Sequence, residues 1–145
     1  MSKVLISDKI SESCIKIFQE NNINVDYRPG LSHSDLLNII SKYNGLAIRS
    51  STKVTSEILE KASNLKIIGR ADIGTDNIDK KVATERGIIV MNTPFGNAVT
   101  TAEHTIAMMM SLVRMIPLAD KSTKEGKWEK SKFNGVEVTN KILGI

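Results

Sequence analysis

Apolar positions along the chain gather into five short clusters, and the stretches between them carry helical period. Lys3-Val4-Leu5-Ile6-Ser7, Ile23-Asn24-Val25-Asp26-Tyr27, Gly45-Leu46-Ala47-Ile48, Leu65-Lys66-Ile67-Ile68 and Gly87-Ile88-Ile89-Val90-Met91 each read as a strand. The second alternates apolar and polar, which suits a strand with one exposed side. Ser11 to Asn21 reads as a helix with Cys14, Ile15, Phe18 and Ile17 facing inward. Ser32 with Asp35 resembles an acidic capping box, opening a helix through Ile39, Ile40 and Tyr43. Thr55-Ser56-Glu57 opens a short helix through Ile58, Leu59 and Ala62, and Asp79 to Arg86 forms another that stops at Gly87. The strands begin at residues 3, 23, 45, 65 and 87, about 20 to 22 apart, with one helix in each gap. That repeat predicts an α/β fold with a parallel sheet covered on both faces. A flavodoxin-like five-stranded order fits best.

Two turns stand out at the strand ends. Leu65 to Ile68 runs into Gly69-Arg70-Ala71-Asp72-Ile73-Gly74-Thr75-Asp76-Asn77-Ile78-Asp79, read as a turn, with Asn77 and Asp79 as caps for the following helix. Ile48 runs into Arg49-Ser50-Ser51-Thr52-Lys53. In open α/β sheets, ligands bind at the carboxyl ends of strands. Arginine offers a planar, two-pronged donor for anions, and Ser50 and Ser51 add hydroxyl and N–H donors. The opposing reading is that Arg49 and Arg70 pair with carboxylates of the protein. Lys53 is either a further cation of the site or a solvated charge. Gly74 suggests close backbone approach or a positive φ.

After Met91 the period is lost. Asn92 to Asn97 reads as a loop, and Thr100 with Glu103 as a capping box for a long helix. Ile106, Met108, Met109, Met110, Leu112 and Val113 make that helix apolar almost all round, so it needs cover from another domain or subunit. Pro117 limits it near its end, with a second helix starting about there. Trp128 and Phe133 are isolated large apolar groups in a polar stretch, which hints at an interface. Lys141 to Ile145 looks like the start of a new strand, cut short.

The totals are those of an ordinary globular chain: 145 residues, 41% hydrophobic, 25% charged. Aromatics are 4%, so the core must be aliphatic. The net charge of +4 comes from scattered Lys and Arg, without the basic stripe and interleaved aromatics of a nucleic-acid binder. Cys14 is the single cysteine, which forbids an internal disulfide and fits a reducing compartment. It reads as a small buried apolar residue. Met1-Ser2-Lys3 leads directly into a strand, and the run Ile106 to Ile116 falls short of the roughly 20 residues that span a bilayer. A cytoplasmic protein without membrane segment or metal site is the expectation.

Several stretches together resemble the D-2-hydroxyacid dehydrogenases, and within them the branch that acts on 3-phosphoglycerate. They are Ile48 to Thr55, Gly69-Arg70-Ala71 with Gly74 and Asp76 to Asp79, Val90 to Asn97, Thr100 to His104, and Gly126 to Glu129, in the family's order. The resemblance implies a substrate-binding domain over residues 1–98. Residues 99–145 would hold an inter-domain and dimerisation helix, an arm and the first strand of a Rossmann domain. It implies an oxidoreductase in which NAD takes hydride from C2 of 3-phosphoglycerate, giving 3-phosphohydroxypyruvate, at the start of serine biosynthesis. Arg49, Ser50, Ser51, Arg70 and Asn97 would bind substrate, and Ile73 and Gly74 would lie near the nicotinamide end of the cofactor. The family's glycine loop and its catalytic Arg, Glu and His would fall beyond residue 145, so no catalytic residue is assigned and this stretch alone is expected to be inactive. His33 and His104 match no catalytic position and read as helix residues. A homodimer or higher oligomer through residues 100–133 is implied as well.

One departure is Asp72, where many relatives have glycine. A carboxylate there would repel an anionic substrate unless it is turned away or bonded to Arg70. Three rivals stand beside this reading. A phosphorylated receiver module has the same βα period, but the third strand here ends in Arg49 and the acidic cluster is absent. A relative acting on glycerate, glyoxylate or lactate lacks the second anion that Arg49 and Lys53 suit. A non-catalytic corepressor on the same fold is the third.

Overall fold

The computed structural model describes residues 2–144 and divides into two compact units, Met1–Gly96 and Asn97–Ile145. In the first unit the elements are β1 (Lys3–Ile6), α1 (Glu12–Glu20), β2 (Asn24–Tyr27), α2 (His33–Ile39), β3 (Gly45–Ile48), α3 (Ser56–Lys61), β4 (Ile67–Arg70), α4 (Lys80–Glu85) and β5 (Ile89–Met91), with a 3₁₀ turn at Ile40–Lys42. The strands form one parallel sheet in the order β2-β1-β3-β4-β5, the flavodoxin-like order expected from the period.

Register explains the core. Leu5, Leu46 and Ile68 lie side by side on one face, each at most 1% exposed. They pack with Leu36, Ile40, Tyr43, Ile58, Leu59 and Ala83 from the helical segments. Alternation sends Val4, Gly45, Ile67 and Ile89 to the other face. Exposure along that row rises from 9% at Val4 to 36% at Ile67 and 60% at Ile89. So the expectation of cover on both faces holds at the β1 end and fails toward β5. α1 runs beside β2 and leaves the β4–β5 end of that face open.

Helix starts follow the caps. Ser32 Oγ accepts from Asp35 N at 3.1 Å, and the Asp35 carboxylate turns back to the Ser32 hydroxyl at 2.6 Å. Asp79 caps α4 by accepting from Val82 N at 3.1 Å. In α1, Ile15 and Phe18 are half-buried, but Ile17 is exposed and Cys14 is half-buried rather than enclosed.

β4 departs from the sequence reading. It spans Ile67–Arg70, not Leu65 to Ile68, so Gly69 and Arg70 belong to the strand and not to the turn. Parallel pairing of Gly45 with Ile67 and of Ile48 with Arg70 sets this register. The apolar count misses it because Arg70, a charged residue, occupies an inward strand position.

In the second unit α5 (Ala98–Val113) begins two residues before Thr100, with Asn97 at its N-cap and no side-chain cap bond. The expected Thr100–Glu103 box therefore lies inside the first turns. The helix has no buried residue, and Leu112 is 78% exposed. α6 (Ile116–Lys124) follows, with Met115 at φ 55 and Pro117 in its first turn. Proline suits that position because the N–H it lacks would have no helical partner there. A short 3₁₀ turn, Lys130–Phe133, ends the regular structure. Glu129 ties it to α6, accepting from the buried Ser122 hydroxyl at 2.9 Å and from Lys132 Nζ at 2.6 Å. The Lys132 ammonium beside it is the main cause holding the Glu129 carboxyl below its usual range. Residues 141–144 form no strand, correcting that expectation; Ile145 lies outside the described residues.

Candidate functional site

Three strands deliver loops to one edge. β1 ends in Ser7-Asp8, β3 in Arg49 to Lys53, and β4 in Ala71 to Asp79. The sequence marks the last two but gives no weight to Asp8. In the structure Asp8 is 3% exposed and holds the β3 loop. Its Oδ2 accepts from Arg49 N at 2.6 Å and from Thr52 N at 3.2 Å, and its Oδ1 accepts from Thr52 Oγ1 at 2.8 Å. Ser7 Oγ meets Thr52 Oγ1 at 2.9 Å.

Asn77 holds the same loop from the other side. It is not a helix cap. Its Nδ2 donates to Arg49 O at 2.7 Å and to Thr52 O at 2.6 Å. Val54 N donates to Asn77 O, and Asp79 N donates to Val54 O, at 2.8 and 3.0 Å, closing a parallel bridge between Val54 and Ile78. The two loops singled out in the sequence are thus one unit, joined through Asn77.

With its backbone fixed, the turn presents exposed Arg49, Ser50 and Ser51. Arg49, Ser50 and Ser51 line a cavity of about 430 Å³ together with Asp8, Lys9 and Gly30. Ser50 also borders a second cleft, of about 570 Å³, with Lys53, Ser56, Asp76, Asn77 and Asp79. Among the described residues Arg49 forms no ion pair.

Arg70 is placed differently. It is 6% exposed and lines neither cavity. Nη1 donates to Asp76 Oδ1 at 2.7 Å, Nη2 stands 3.6 Å from Asp72 Oδ2, and the buried Nε has no hydrogen-bond partner among the described residues. That bond to Arg70 is the main reason the Asp76 carboxyl lies below its ordinary range. Gly74 makes room for the pair. A Cβ there would stand 2.8 Å from Asp76 Oδ1 and 3.4 Å from Arg70 Nη1, and its φ is not in the positive region. Close approach, and not backbone twist, is what requires glycine. Asp72 is engaged within the loop: its Oδ1 accepts from Ile73 N at 2.8 Å, besides its approach to Arg70. Ile73 is 39% exposed, and its carbonyl accepts from Asn92 Nδ2 at 2.7 Å. Thr93 N donates to Asp72 O at 3.0 Å, so the β5 loop steadies this one.

Asn97 belongs to the second unit, where it is exposed at the start of α5. His33 opens α2 with Nε2 3.1 Å from Glu57 Oε2, and His104 lies within α5. Among the described residues, no cluster of three His, Cys, Asp or Glu could hold a metal, and no helix is long and apolar enough to cross a membrane. The sequence leaves out Asp8, Asp76 and Asn92. Asp8 alone had a legible signal, a carboxylate directly after a strand at the ligand edge.

Residues 4–141 match the family model described as D-isomer specific 2-hydroxyacid dehydrogenase, catalytic domain. The chain is 48% identical to the D-3-phosphoglycerate dehydrogenase of Archaeoglobus fulgidus, over 99% of this chain and 27% of that protein. It is 49% identical to the enzyme of the same name from Synechocystis, over 100% of this chain and 26% of that one. The chain thus spans about a quarter of the length of these relatives. The crystal structure of NAD⁺-bound 3-phosphoglycerate dehydrogenase from Entamoeba histolytica superposes with a TM-score of 0.69 at 30% identity, covering 78% of this chain and 39% of that one. With its five parallel strands, its ligand-edge loops and these matches, the chain belongs to the D-isomer specific 2-hydroxyacid dehydrogenase family.

Proposed function

We propose that the chain is the substrate-gripping part of an NAD-dependent D-3-phosphoglycerate dehydrogenase. The observation that carries this is the Arg49–Thr52 turn. A cation with no ion pair among the described residues and two hydroxyls stand at the carboxyl edge of the sheet, on a backbone held from both sides. Such a turn suits a ligand with both a carboxylate and a phosphate. Arg49, Ser50 and Ser51 bind the anionic groups. Arg70, buried and paired with Asp76, supports the site through the 71–79 loop.

NAD, when bound, supplies the acceptor for the hydride leaving C2. On this chain the exposed, loop-anchored Ile73 and the adjacent Gly74 fit the nicotinamide end, offering an apolar surface with no side chain beside it. The reading gives His33 and His104, which lie in α2 and α5, no part in removing the hydroxyl proton. Oligomerisation through residues 100–133 follows from the uncovered apolar surface of α5, α6 and the arm, where Leu112 is 78%, Leu118 55% and Trp128 85% exposed. The reading gives a cytoplasmic homodimer.

Titration calorimetry of the chain tests the substrate. 3-Phosphoglycerate should bind, D-glycerate should bind at least about tenfold more weakly for want of the phosphate, and Arg49→Gln should abolish the difference. Equal binding of the two acids would point to a non-phosphorylated substrate. Light scattering tests assembly: a strict monomer at high concentration refutes the dimer.

A further inference from the structure

The Arg49–Thr52 turn is held by two side chains to which the proposed reading assigns no role. Asp8, from the β1 loop, takes the N–H groups at both ends of the turn, Arg49 N and Thr52 N, and the Thr52 hydroxyl. Asn77, from the β4 loop, takes the two carbonyls of the same residues, Arg49 O and Thr52 O. The four main-chain groups that define the turn's ends are therefore bonded to side chains of two neighbouring loops. The orientation of Asn77 is fixed by this chemistry. Two carbonyls need two donors, which only its NH₂ provides, leaving Oδ1 buried and without a partner. An amide that accepts such a position serves the two carbonyls first. Nothing in the helix or strand pattern requires Asp8 and Asn77 to reach residues 49 and 52, which lie 41 to 44 and 28 to 25 positions away.

We infer that Asp8 and Asn77 are positioning residues which set the direction of Arg49 and of the Ser50 and Ser51 hydroxyls toward an anionic ligand. The inference rests on the reading of that turn as the substrate's anion site. Neither residue needs to touch the ligand. Each acts through the backbone, and a ligand held by a planar guanidinium loses affinity steeply when that group is moved by about an ångström.

The experiment uses the 145-residue chain and its Asp8→Ala, Asp8→Asn and Asn77→Ala variants. Binding of 3-phosphoglycerate and of inorganic phosphate is followed by amide chemical shifts, alongside hydrogen exchange at Arg49 and Thr52 and melting temperature. Asn at position 8 still has an oxygen for the two amides, and its NH₂ can donate to the Thr52 hydroxyl. The expected result is that Asp8→Ala and Asn77→Ala weaken 3-phosphoglycerate binding by about 10- to 100-fold, while Asp8→Asn keeps most of it. A purely structural role would instead lower the melting temperature and leave the affinity of the folded fraction unchanged. Binding by wild type that persists unchanged in both alanine variants overturns the inference and leaves the proposed function standing. Absence of wild-type binding defeats the substrate reading for this chain. The positioning role is then judged by exchange: amides at 49 and 52 protected in wild type and open in Asp8→Ala support it, and open amides in wild type overturn it.

Discussion

Tyr43→Phe removes one oxygen and leaves the ring. The Tyr43 hydroxyl donates to Asp26 Oδ2 at 2.5 Å, and the tyrosine is 2% exposed. A hydrogen bond to an ionised acceptor contributes about 1.5–3 kcal/mol. Asp26 keeps Arg28 Nε at 2.9 Å and Lys3 Nζ at 3.8 Å and is 20% exposed, so the variant does not strand the carboxylate. The loss belongs at the lower end, about 1.5 kcal/mol, or roughly 6–12 °C in melting temperature for a unit of this size. The pH dependence makes the test specific. Burial foremost, then the bond to Asp26, pushes the Tyr43 phenol up to about 12. Its folded value lies above the unfolded value of about 10, so its contribution is complete below pH 10 and is lost as pH rises toward 12. Two units correspond to about 2.7 kcal/mol, which exceeds the neutral-pH cost of the variant. The two stability curves should therefore cross near pH ~11, with Phe the more stable above it. At the acid end the sign reverses. The same bond is the main cause of the lowered Asp26 carboxyl, so its contribution is present above the ordinary carboxylate range and lost as pH falls through the folded value. Urea denaturation of both proteins from pH 3 to 11.5 measures this. A gap that stays constant across the range would refute the coupling.

Gly74→Ala should destabilise the first unit by about 1 kcal/mol, because its Cβ drives Asp76 off Arg70; urea titration checks this, and an unchanged midpoint would show that the loop gives way without cost. Gly135→Ala should cost at least about 2 kcal/mol in the second unit, since φ is +61° and the Cβ would press on the Val113 carbonyl; faster exchange of the Val136 amide, which donates to that carbonyl at 2.7 Å, is the local readout. Asp79→Ala removes the α4 cap and should cost about 1 kcal/mol by the same denaturation assay, with Asp79→Asn recovering most of it.

Much of the fold was legible because the strand period and the caps act locally. Ser32, Thr55 and Asp79 each cap the helix expected of them. Asn77 shows where local reading ends. Its pattern is that of a cap, but its partners lie 28 and 25 residues back, and nothing local encodes them. Asp8 follows a strand at the ligand edge, which is a legible signal, but its partners at residues 49 and 52 lie 41 and 44 positions on and are not legible. α5 begins two residues before its apparent capping box, with Asn97, a residue type equally favoured there, at the N-cap position. The strand expected from Lys141 failed because no neighbouring strand among the described residues pairs with it, and a strand is defined by its partner.

Arg70 carries the consequence for the site. The sequence gives Arg49 and Arg70 as a matched pair, each following an apolar strand. Register separates them. Arg70 is the last residue of β4, beside Ile48 and on the packed face, while Arg49 comes one position after Ile48, beyond the end of β3. A guanidinium on the packed face needs carboxylates, and Asp76 and Asp72 provide them within the following loop. Asp72, the residue that departs from the glycine of many relatives, is thus engaged by Arg70 and by the Ile73 amide, and its charge is not directed at a ligand unopposed. The objection that it would repel an anion loses its force. The two are placed unequally: Arg70 pairs with Asp76 and approaches Asp72 within the loop from residues 71 to 79 and lines neither cavity, while Arg49 is exposed and lines the cavity at the ligand edge. Arg49→Gln should then weaken binding without unfolding the chain, whereas Arg70→Gln should disorder the 71–79 loop as well as weaken binding. Exchange rates at Ile73 and Thr93 separate the two, and equal loop protection in both variants would show that Arg70 is a ligand group alone.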